Sequence, residues 1–421
     1  MTDIYEIAEY TLEALKKSGA DAAQCIVSKS KKDELNVDGG KFSLMRSTFN
    51  TSISMKAIKD GKKGVTSINQ ATKEAIDEAA DQCISAAQSS VPDEAEQIAP
   101  FTAKAEYKTG VFEPELDKLF DRIEEFMSQT AAEYPKIILE QLISDYEHSE
   151  KLYMNTNGTS LKYEHGEYSF NTMFSAHEGE KASSFNGYFC ALDSLDKPFM
   201  DAGMLDTVSP SEKFVGRVIY SPDCFNELLQ TALENFASSG VLIDGTSPWK
   251  DALNTKVASE KLNLRSVPLD GRTVVGQRFT SDGYPVEDMD IIIDGVLKTF
   301  ILSQYGANKT GFPRSLNSGN NLEVLPGDKA LEEMISGIDR GLIVNRFSGG
   351  QPSSNGDFSG VAKNSFLIEN GKVVSAVSET MISGNIIDML NNIVAVSKEQ
   401  TTDGLSFMPW AEFDGVTVSG K

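Results

Sequence analysis

Histidine is scarce in this sequence: there are only three, and the last of them is His177. His177 precedes a glutamate in AHEGEKA, residues 176–182, but a helical zinc-hydrolase motif needs a second imidazole about four or five residues further on. Lys181 and Ala182 occupy those two places. The surrounding stretch alternates apolar and polar residues and contains glycines, so it predicts an exposed strand or turn rather than a metal-binding helix.

Cysteine is also rare, and the four that are present are far apart in the chain. Cys25, Cys83, Cys190 and Cys224 form no CxxC pair. Structural zinc sites and disulfide frameworks are typically marked by close or regular cysteine spacings. We therefore expect neither, and interpret the four as buried, reduced thiols.

Basic residues are too few to balance the acidic ones. The chain has 39 Lys and Arg against 62 Asp and Glu, a net charge of -23, which repels phosphate backbones and anionic membrane surfaces. No apolar run reaches the roughly eighteen residues of a membrane span, and the first ten residues, MTDIYEIAEY, carry acids where a secretory signal would be basic. We expect a cytoplasmic protein that binds neither nucleic acid directly nor membranes.

The common nucleotide and nucleophile motifs are absent as well. No GxSxG, GxxxxGK[ST] or GxGxxG occurs among the 33 glycines, which are better interpreted as hairpin turns. The densest small-residue segment is FSGGQPSSNGDFSG, residues 347–360. It has the composition of a mobile loop, and the alternative is a cradle whose backbone N–H groups bind a peptide or an anion.

The first half of the chain predicts an α+β domain over residues 1–205. Apolar spacing indicates a helix over residues 3–17, and VDGGK and KDGKKG are hairpin turns within a strand-rich stretch, residues 22–69. A second helix, PELDKLFDRIEEFMSQTAAEY, precedes more strands over residues 137–190. Helix then strands, twice over, suggests a duplicated unit.

The second half, residues 206–421, predicts a mainly antiparallel β domain opened by a helix over residues 223–238. Ser221 suits the N-cap, Pro222 the first turn and Gly240 the end of this helix. An apolar stripe should face the core, and it consists of Phe225, Leu228, Leu229, Ala232, Leu233 and Phe236. Hairpin signals such as Asp-Gly and Asn-Gly dominate the rest.

Several blocks of the second half resemble the TldD/PmbA family, whose older name is modulator of DNA gyrase. They are SDGYPVEDMDIIIDGVLKTFILSQYGANKTG, then GDFSGVAKNSFLIENGKVVSAVSETMISGNIIDMLNNI, and finally FDGVTVSGK. The resemblance implies a two-part chain, with an α+β domain followed by a β-rich domain, that forms dimers around an internal cavity open to peptides. A direct action on gyrase or DNA is disfavoured by the net negative charge.

The family has two branches, and the TldD branch carries HExxxH on the helix that opens its second half, with a cysteine near the C-terminus completing the metal site. In this sequence the resemblance puts Gln230, Thr231 and Asn235 roughly at the motif positions. No histidine follows His177 and no cysteine follows Cys224. The chain therefore resembles the PmbA branch, also called TldE, for which the resemblance implies no catalytic residues, no cofactor of its own, and zinc only in a partner subunit.

Two hypotheses follow for function. The first is a non-catalytic subunit of a cytoplasmic metallopeptidase, inactive alone, that pairs with an HExxxH-bearing TldD-like chain and acts on unfolded or extended peptides. The second is an independent homodimer that binds peptides or has a structural role, without a peptidase partner. The sequence assigns no residue to substrate contact.

Overall fold

Two β-sheets, each packed against helices, form the part of the chain that the structure describes. The computed structural model describes residues 3–196, 214–377 and 380–419. The predicted domain boundary between residues 205 and 206 lies outside these ranges, so the division into two domains stays a prediction. Within the described ranges no helix is long and apolar enough to cross a membrane.

The first sheet lies within residues 3–196 and packs against three helices. The helices are α1 (Ile4–Lys17), α2 (Lys73–Ser89) and α3 (Leu116–Glu133), and the strands are β1 (Ala22–Asp38), β2 (Lys41–Lys59), β3 (Lys62–Ile68), β4 (Lys104–Gly110), β5 (Ile137–Asn155), β6 (Ser160–Glu178), β7 (Lys181–Ala182) and β8 (Asn186–Leu192). The main order is β3-β2-β1-β5-β6-β4, with β7 and β8 also on β6. Of the described pairs in this sheet, only β4 with β6 is parallel.

Local signals account for the predicted elements of this half. The Asp3 side chain accepts the Glu6 N–H at 2.9 Å and caps α1, which ends before Gly19, where φ is 107°. Asp60 and Gly61, with φ of 51° and 69°, close the β2–β3 hairpin at the predicted turn. Both φ values are positive, as in the turns that match the twist of paired strands. The predicted helix and hairpins are confirmed.

The first half has two buried clusters along one long face of its sheet. One end of β1, around Val27, packs with α1 and α2, while the other end, around Leu35, packs with α3. The chain thus forms a helix followed by an antiparallel meander twice, and β1 of the first pairs antiparallel with β5 of the second. This order matches the predicted one, and common origin by duplication stays a prediction.

The second sheet lies within residues 214–419 and has shorter strands. The strands are β9 (Phe214–Tyr220), β10 (Leu264–Ser266), β11 (Met289–Ile293), β12 (Val296–Leu297), β13 (Leu322–Val324), β14 (Arg340–Val344), β15 (Arg346–Gly349), β16 (Asp357–Lys363), β17 (Ser365–Glu369), β18 (Lys372–Val377), β19 (Thr380–Asn385), β20 (Ile393–Thr402) and β21 (Phe407–Ser419). The helices are α4 (Pro222–Phe236), α5 (Ser239–Ile243), α6 (Gln304–Thr310), α7 (Leu331–Ser336) and α8 (Ile386–Asn391). Helix α4 lies in the largest buried cluster of this half.

The topology of the second sheet is mixed and mostly antiparallel. Its main order is β12-β11-β10-β13-β21-β9-β14-β17-β18, and β15, β16, β19 and β20 attach beside it, with β19 and β20 both on β21. Among the described pairs, β13 with β21 and β14 with β9 are parallel. The predicted α+β class, with a mainly antiparallel second half, is confirmed.

One loop joins the two halves closely. The Thr102 hydroxyl donates to the Gly283 carbonyl at 2.7 Å, and the Gln24 side-chain amide donates to the Ser281 carbonyl at 3.2 Å. A Cβ on Gly283 would come within 2.3 Å of the buried Tyr153 ring, so this close approach requires glycine. The face of the first sheet opposite its helices is thereby fixed against the second half.

Candidate functional site

Helix α4 is built by the local signals that its sequence carries. The Ser221 hydroxyl accepts the Cys224 N–H at 3.4 Å, and Pro222 occupies the first turn. The predicted apolar stripe is buried throughout, with Phe225 and Phe236 fully inaccessible to solvent. The prediction that Gly240 ends the helix is wrong, because α4 ends at Phe236 and Gly240 lies inside α5. The Ser247 hydroxyl donates to the Phe236 carbonyl and satisfies it at that earlier end.

The opposite face of α4 lines a cavity of about 400 Å³. A hairpin formed by β15 and β16 closes the other side, with Ile386 of α8 nearby. The lining residues are Tyr220, Cys224, Glu227, Leu228, Gln230, Thr231, Glu234, Phe347, Ser348, Gly349, Gly350, Gln351, Pro352, Phe358 and Ile386. Backbone, hydroxyl and amide groups are therefore mixed with apolar surface, as in sites that bind a ligand of defined orientation.

The small-residue segment 347–360 contains more regular secondary structure than predicted. Its two ends are strands, and Gly349 pairs directly with Gly360 across the hairpin. A Cβ on either glycine would come within 2.5 Å of the Phe347 ring, so the ring packs flat over a surface that only glycine leaves open. The interpretation of the whole segment as a loop is corrected to a hairpin whose connection, residues 350–356, is irregular.

The hairpin leaves one edge of β15 without a described strand beside it. β15 pairs with β16 on one side, and no other described strand pairs with it. This edge borders the cavity through Phe347, Ser348 and Gly349. The Phe347 N–H already contacts the Cys224 sulfur. The other backbone N–H and C=O groups of such an edge are ones that an extended peptide can pair with.

The first half of the chain contacts the hairpin that borders this site. Arg346, at the start of β15, donates to the Phe185 carbonyl and lies 3.8 Å from the centre of the Phe185 ring. Asn364 also donates to the Phe185 carbonyl, at 3.1 Å. Burial lowers the pKa of Arg346 below its usual value, opposed by the nearby charge of Glu227. Contacts with the first half thus hold the arginine in place.

Among the described residues, none anchors the carboxylates of α4 in this way. Glu227 is exposed at the cavity, yet the walls displace enough water to raise its pKa, and repulsion from Asp223 adds to this while Arg346 opposes it. Burial also raises the pKa of the Cys224 thiol, to about 12, although the Ser221 hydroxyl opposes the rise. The thiol is therefore protonated at neutral pH and is a poor nucleophile.

A second cavity, of about 340 Å³, lies at the start of α4. Asp223 and Asn226 of the helix line this cavity together with Asp403. Tyr188 of β8, which belongs to the first half, also lines it. Loss of solvent raises the pKa of Asp223, and the negative charge of Asp403 adds to the rise. The outer face of α4 therefore runs from one cavity to the other.

The predicted motif positions are only partly brought together at the cavity. Gln230 and Thr231 line it, whereas Asn235 is half-buried beside it and donates to the Thr231 carbonyl at 3.0 Å. His177 lies at an exposed position near the end of β6, as predicted, and pairs with Ala182. Cys25, Cys83, Cys190 and Cys224 are buried free thiols, again as predicted.

The residues of the cavity do not fit the zinc site that the resembled motif implies. Zinc prefers imidazole, thiolate and carboxylate ligands, whereas Gln230 and Thr231 present a neutral amide and a neutral hydroxyl. Glu227 and Glu234 are seven residues apart, about 10 Å along a helix, which is too far for both to bind one ion. Within the described ranges no group of three His, Cys, Asp or Glu residues is placed to hold a metal.

The sequence interpretation did not identify Glu227, Glu234 or the edge of β15 as part of this site. The sequence contained a signal for the two glutamates. On the predicted helix, the spacing of four polar residues puts them on one face, opposite the apolar stripe: Asp223, Glu227, Gln230 and Glu234. The pairing of β15 was not available, since it depends on strands that are distant in the chain.

Comparison with known proteins matches two parts of the chain to one family. The model of the PmbA/TldA metallopeptidase C-terminal domain matches residues 213–420, and that of PmbA/TldA metallopeptidase domain 1 matches residues 23–87. Metalloprotease PmbA of Escherichia coli O157:H7 is 32% identical over 36% of this chain and 34% of its own length. A zinc metalloprotease TldD homolog of Saccharolobus solfataricus is 28% identical over 43% of this chain and 44% of its own length. The chain thus matches less than half the length of these curated relatives.

Solved structures cover the whole fold. TldE from Thermococcus kodakarensis superposes with a TM-score of 0.84 at 22% identity, over 98% of this chain and 100% of that one. A protein of Bacteroides thetaiotaomicron named for a suggested modulation of DNA gyrase gives 0.83 at 23% identity, over all of both chains. With both domain models matched and the same fold throughout, the chain belongs to the TldD/PmbA metallopeptidase family.

Proposed function

We propose that this chain is a PmbA/TldE-like, non-catalytic subunit of a cytoplasmic TldD/TldE-type metallopeptidase that acts on unfolded or extended peptides. In this proposal an HExxxH-bearing partner holds the zinc, and this subunit binds part of the peptide. The observation that carries it is the face of α4 at the cavity, which is lined by Gln230 and Thr231. The resemblance puts these two residues roughly at the positions of the family's metal motif.

The chemistry of peptide hydrolysis supports the non-catalytic role. Cleavage at neutral pH needs an activated nucleophile and stabilisation of the developing oxyanion, and a metal-bound water can supply the first while the ion contributes to the second. The amide of Gln230 and the hydroxyl of Thr231 are neutral, and the Cys224 thiol is protonated. No residue identified at the cavity is therefore an activated nucleophile.

Peptide binding is supported by the same cavity. Its volume of about 400 Å³ has room for a few side chains, and the edge of β15 offers backbone groups along one wall. Backbone pairing can bind an extended peptide without recognising each of its side chains. A compact folded protein presents few free strands of this kind, so unfolded or extended peptides are the substrates that this geometry favours.

The partnership is supported by the names of similar proteins. One solved structure with this fold is a TldE, and curated relatives include both PmbA and TldD homologs. Because the matches to the curated relatives cover less than half of their length, the activity and the partner are our proposals for this chain.

The test is an assay of an unstructured peptide with this chain alone, with an HExxxH-bearing relative encoded in the same genome alone, and with both, each with and without a chelator. We expect chelator-sensitive cleavage only in the mixture. Robust cleavage by this chain alone would refute the non-catalytic role. Failure of the two chains to associate would favour the independent homodimer.

A matched pair of variants distinguishes the role of the cavity from the association of the two subunits. Gln230→Trp fills the cavity from an exposed helical position, and Gln129→Trp makes the same change at an exposed position of α3. We expect Gln230→Trp to lower the activity of the mixture by about tenfold or more, because a displaced peptide loses its positioning, while both variants still bind the partner. Equal activity of the two variants would remove the cavity from the proposed function.

A further inference from the structure

The outer face of α4 is a row of polar residues, three of which are acidic. Asp223, Glu227, Gln230 and Glu234 are separated by four, three and four residues, which places them in line on one side of a helix. All four are exposed. The row is about 16 Å long at the rise of an α-helix, comparable to five residues of an extended peptide.

The acidic charge of this row is poorly neutralised. No lysine or arginine is among the described residues that line the cavity. Within the described part of the chain, neither Glu227 nor Glu234 has a salt-bridge partner within 4 Å. Arg346 lies close enough to influence Glu227, but it is bound to Phe185 through its guanidinium and is not free to follow a ligand. The cavity therefore offers carboxylates to a positive group brought by the ligand.

The edge of β15 determines how such a ligand would lie. An extended peptide that pairs with this edge directs alternate side chains to opposite faces of the sheet. Phe347, Ser348 and Gly349 border the same cavity as Glu227 and Glu234. A peptide held by its backbone on β15 can thus bring a side chain to the acidic face of α4. Arginine and lysine have the length and the charge that this requires.

We propose that the cavity between α4 and β15 selects extended peptides that carry an arginine or a lysine, which binds against Glu227 or Glu234. The inference rests on the proposed peptide-binding function and adds to it a preference for basic side chains. Neutral segments still pair with β15, but they gain nothing from the two carboxylates.

The test measures binding of a labelled, unstructured peptide to the full chain by fluorescence polarisation at about 0.15 M salt, where long-range attraction is screened. One peptide carries a central arginine and the other carries citrulline, its neutral isostere. We expect the arginine peptide to bind about five- to tenfold more tightly, since a partly desolvated charged contact is stronger than a fully exposed one.

Charge-matched variants separate the cavity from the net charge of the chain. Glu227→Gln and Glu234→Gln together should remove the preference for arginine and leave the binding of the citrulline peptide unchanged. Glu332→Gln together with Glu260→Gln, at exposed positions outside the cavity, removes the same number of charges and should keep the preference. Retention of the citrulline affinity by the double variant shows that its cavity is intact.

The outcomes distinguish the two proposals. Equal binding of both peptides to the unmodified chain overturns the preference for basic side chains and leaves peptide binding standing. A preference that survives in the double variant overturns the assignment to Glu227 and Glu234. Failure of the chain to bind either peptide overturns this inference together with the peptide-binding part of the proposed function.

Discussion

The two sheets differ in the length of their strands and in how much of their pairing lies within hairpins. In the first sheet β1, β2, β5 and β6 have 17 to 19 residues each. Tight hairpins join β1 to β2 and β5 to β6, and the pairing of β1 with β5 joins these two hairpins across more than 100 residues. In the second sheet β9 has seven residues, and it pairs with β14 and β21, which are more than 100 residues away. Local pairing is specified by turns and alternation, whereas distant pairing depends on the packed core.

Whether the two halves unfold together can be measured with the intrinsic tryptophan fluorescence of the chain. Its two tryptophans, Trp249 and Trp410, both lie in the second half. Tryptophan fluorescence therefore reports on that half, while circular dichroism reports on both sheets. Because the 279–284 loop packs against the first sheet, we expect the two signals to change in one denaturant transition.

The largest effect on stability is expected from a substitution in the core of the second half. Leu229→Ala should lower the free energy of unfolding by about 2–5 kcal/mol, because the buried side chain leaves a cavity under α4. Thr231→Ala, on the cavity side of the same helix, should change it by less than about 0.5 kcal/mol. Urea titration of both variants checks this. Equal losses would contradict the observed division of α4 into a core face and a cavity face.

A somewhat smaller effect is expected at the junction of the two halves. Gly283→Ala should cost about 2–4 kcal/mol, since φ is 89° and the new Cβ would meet the Tyr153 ring. Gly311→Ala has a similar φ of 77° with nothing within 4 Å, so it should cost only about 1 kcal/mol. We expect fluorescence and dichroism transitions to separate for Gly283→Ala alone. Coincident transitions in that variant would show that other contacts couple the halves.

The smallest effect is expected from a charge in the same loop. Burial alone would raise the pKa of Asp282, but Arg314, the Thr280 hydroxyl and the Gln304 N–H hold it below its usual value. The Arg314 guanidinium lies 3.2 Å from this carboxylate. Asp282→Asn should therefore cost about 1–2 kcal/mol at pH 7.

The sign of the pH dependence follows from the lowered pKa. The stabilisation by Asp282 is present above the pKa of an unfolded aspartate, about 3.9, and is lost as pH falls through the lower folded value. The difference between Asp282→Asn and the unmodified chain should thus shrink below about pH 4. Asp251→Asn, an exposed control, should show no such convergence. A difference that stays constant down to pH 3 would contradict the role of the ionised carboxylate.

The sequence predicted the helices and hairpin turns of the first half and the helix that lies on one side of the candidate site. Turn residues such as Asp60 and Gly61, and the apolar spacing of α1, act over a few residues and can be recognised without the fold. The same holds for α4, whose Ser221 cap and buried stripe were both predicted. Its end was misplaced because the Phe236 carbonyl is satisfied by Ser247, a contact that no local pattern contains.

By itself, the sequence determined the α+β class, the amphipathic helix α4 and the absence of histidine after His177, because these depend on residue type and short-range spacing alone. Only the tertiary structure decided that Gln230 and Thr231 face a cavity, that Asn235 lies beside it, and that residues 347–349 form a strand with one edge that no described strand pairs with. It also brought Phe185 to Arg346 across the two halves. Such contacts join residues far apart in the chain, and the packing of both cores fixes them rather than any local preference.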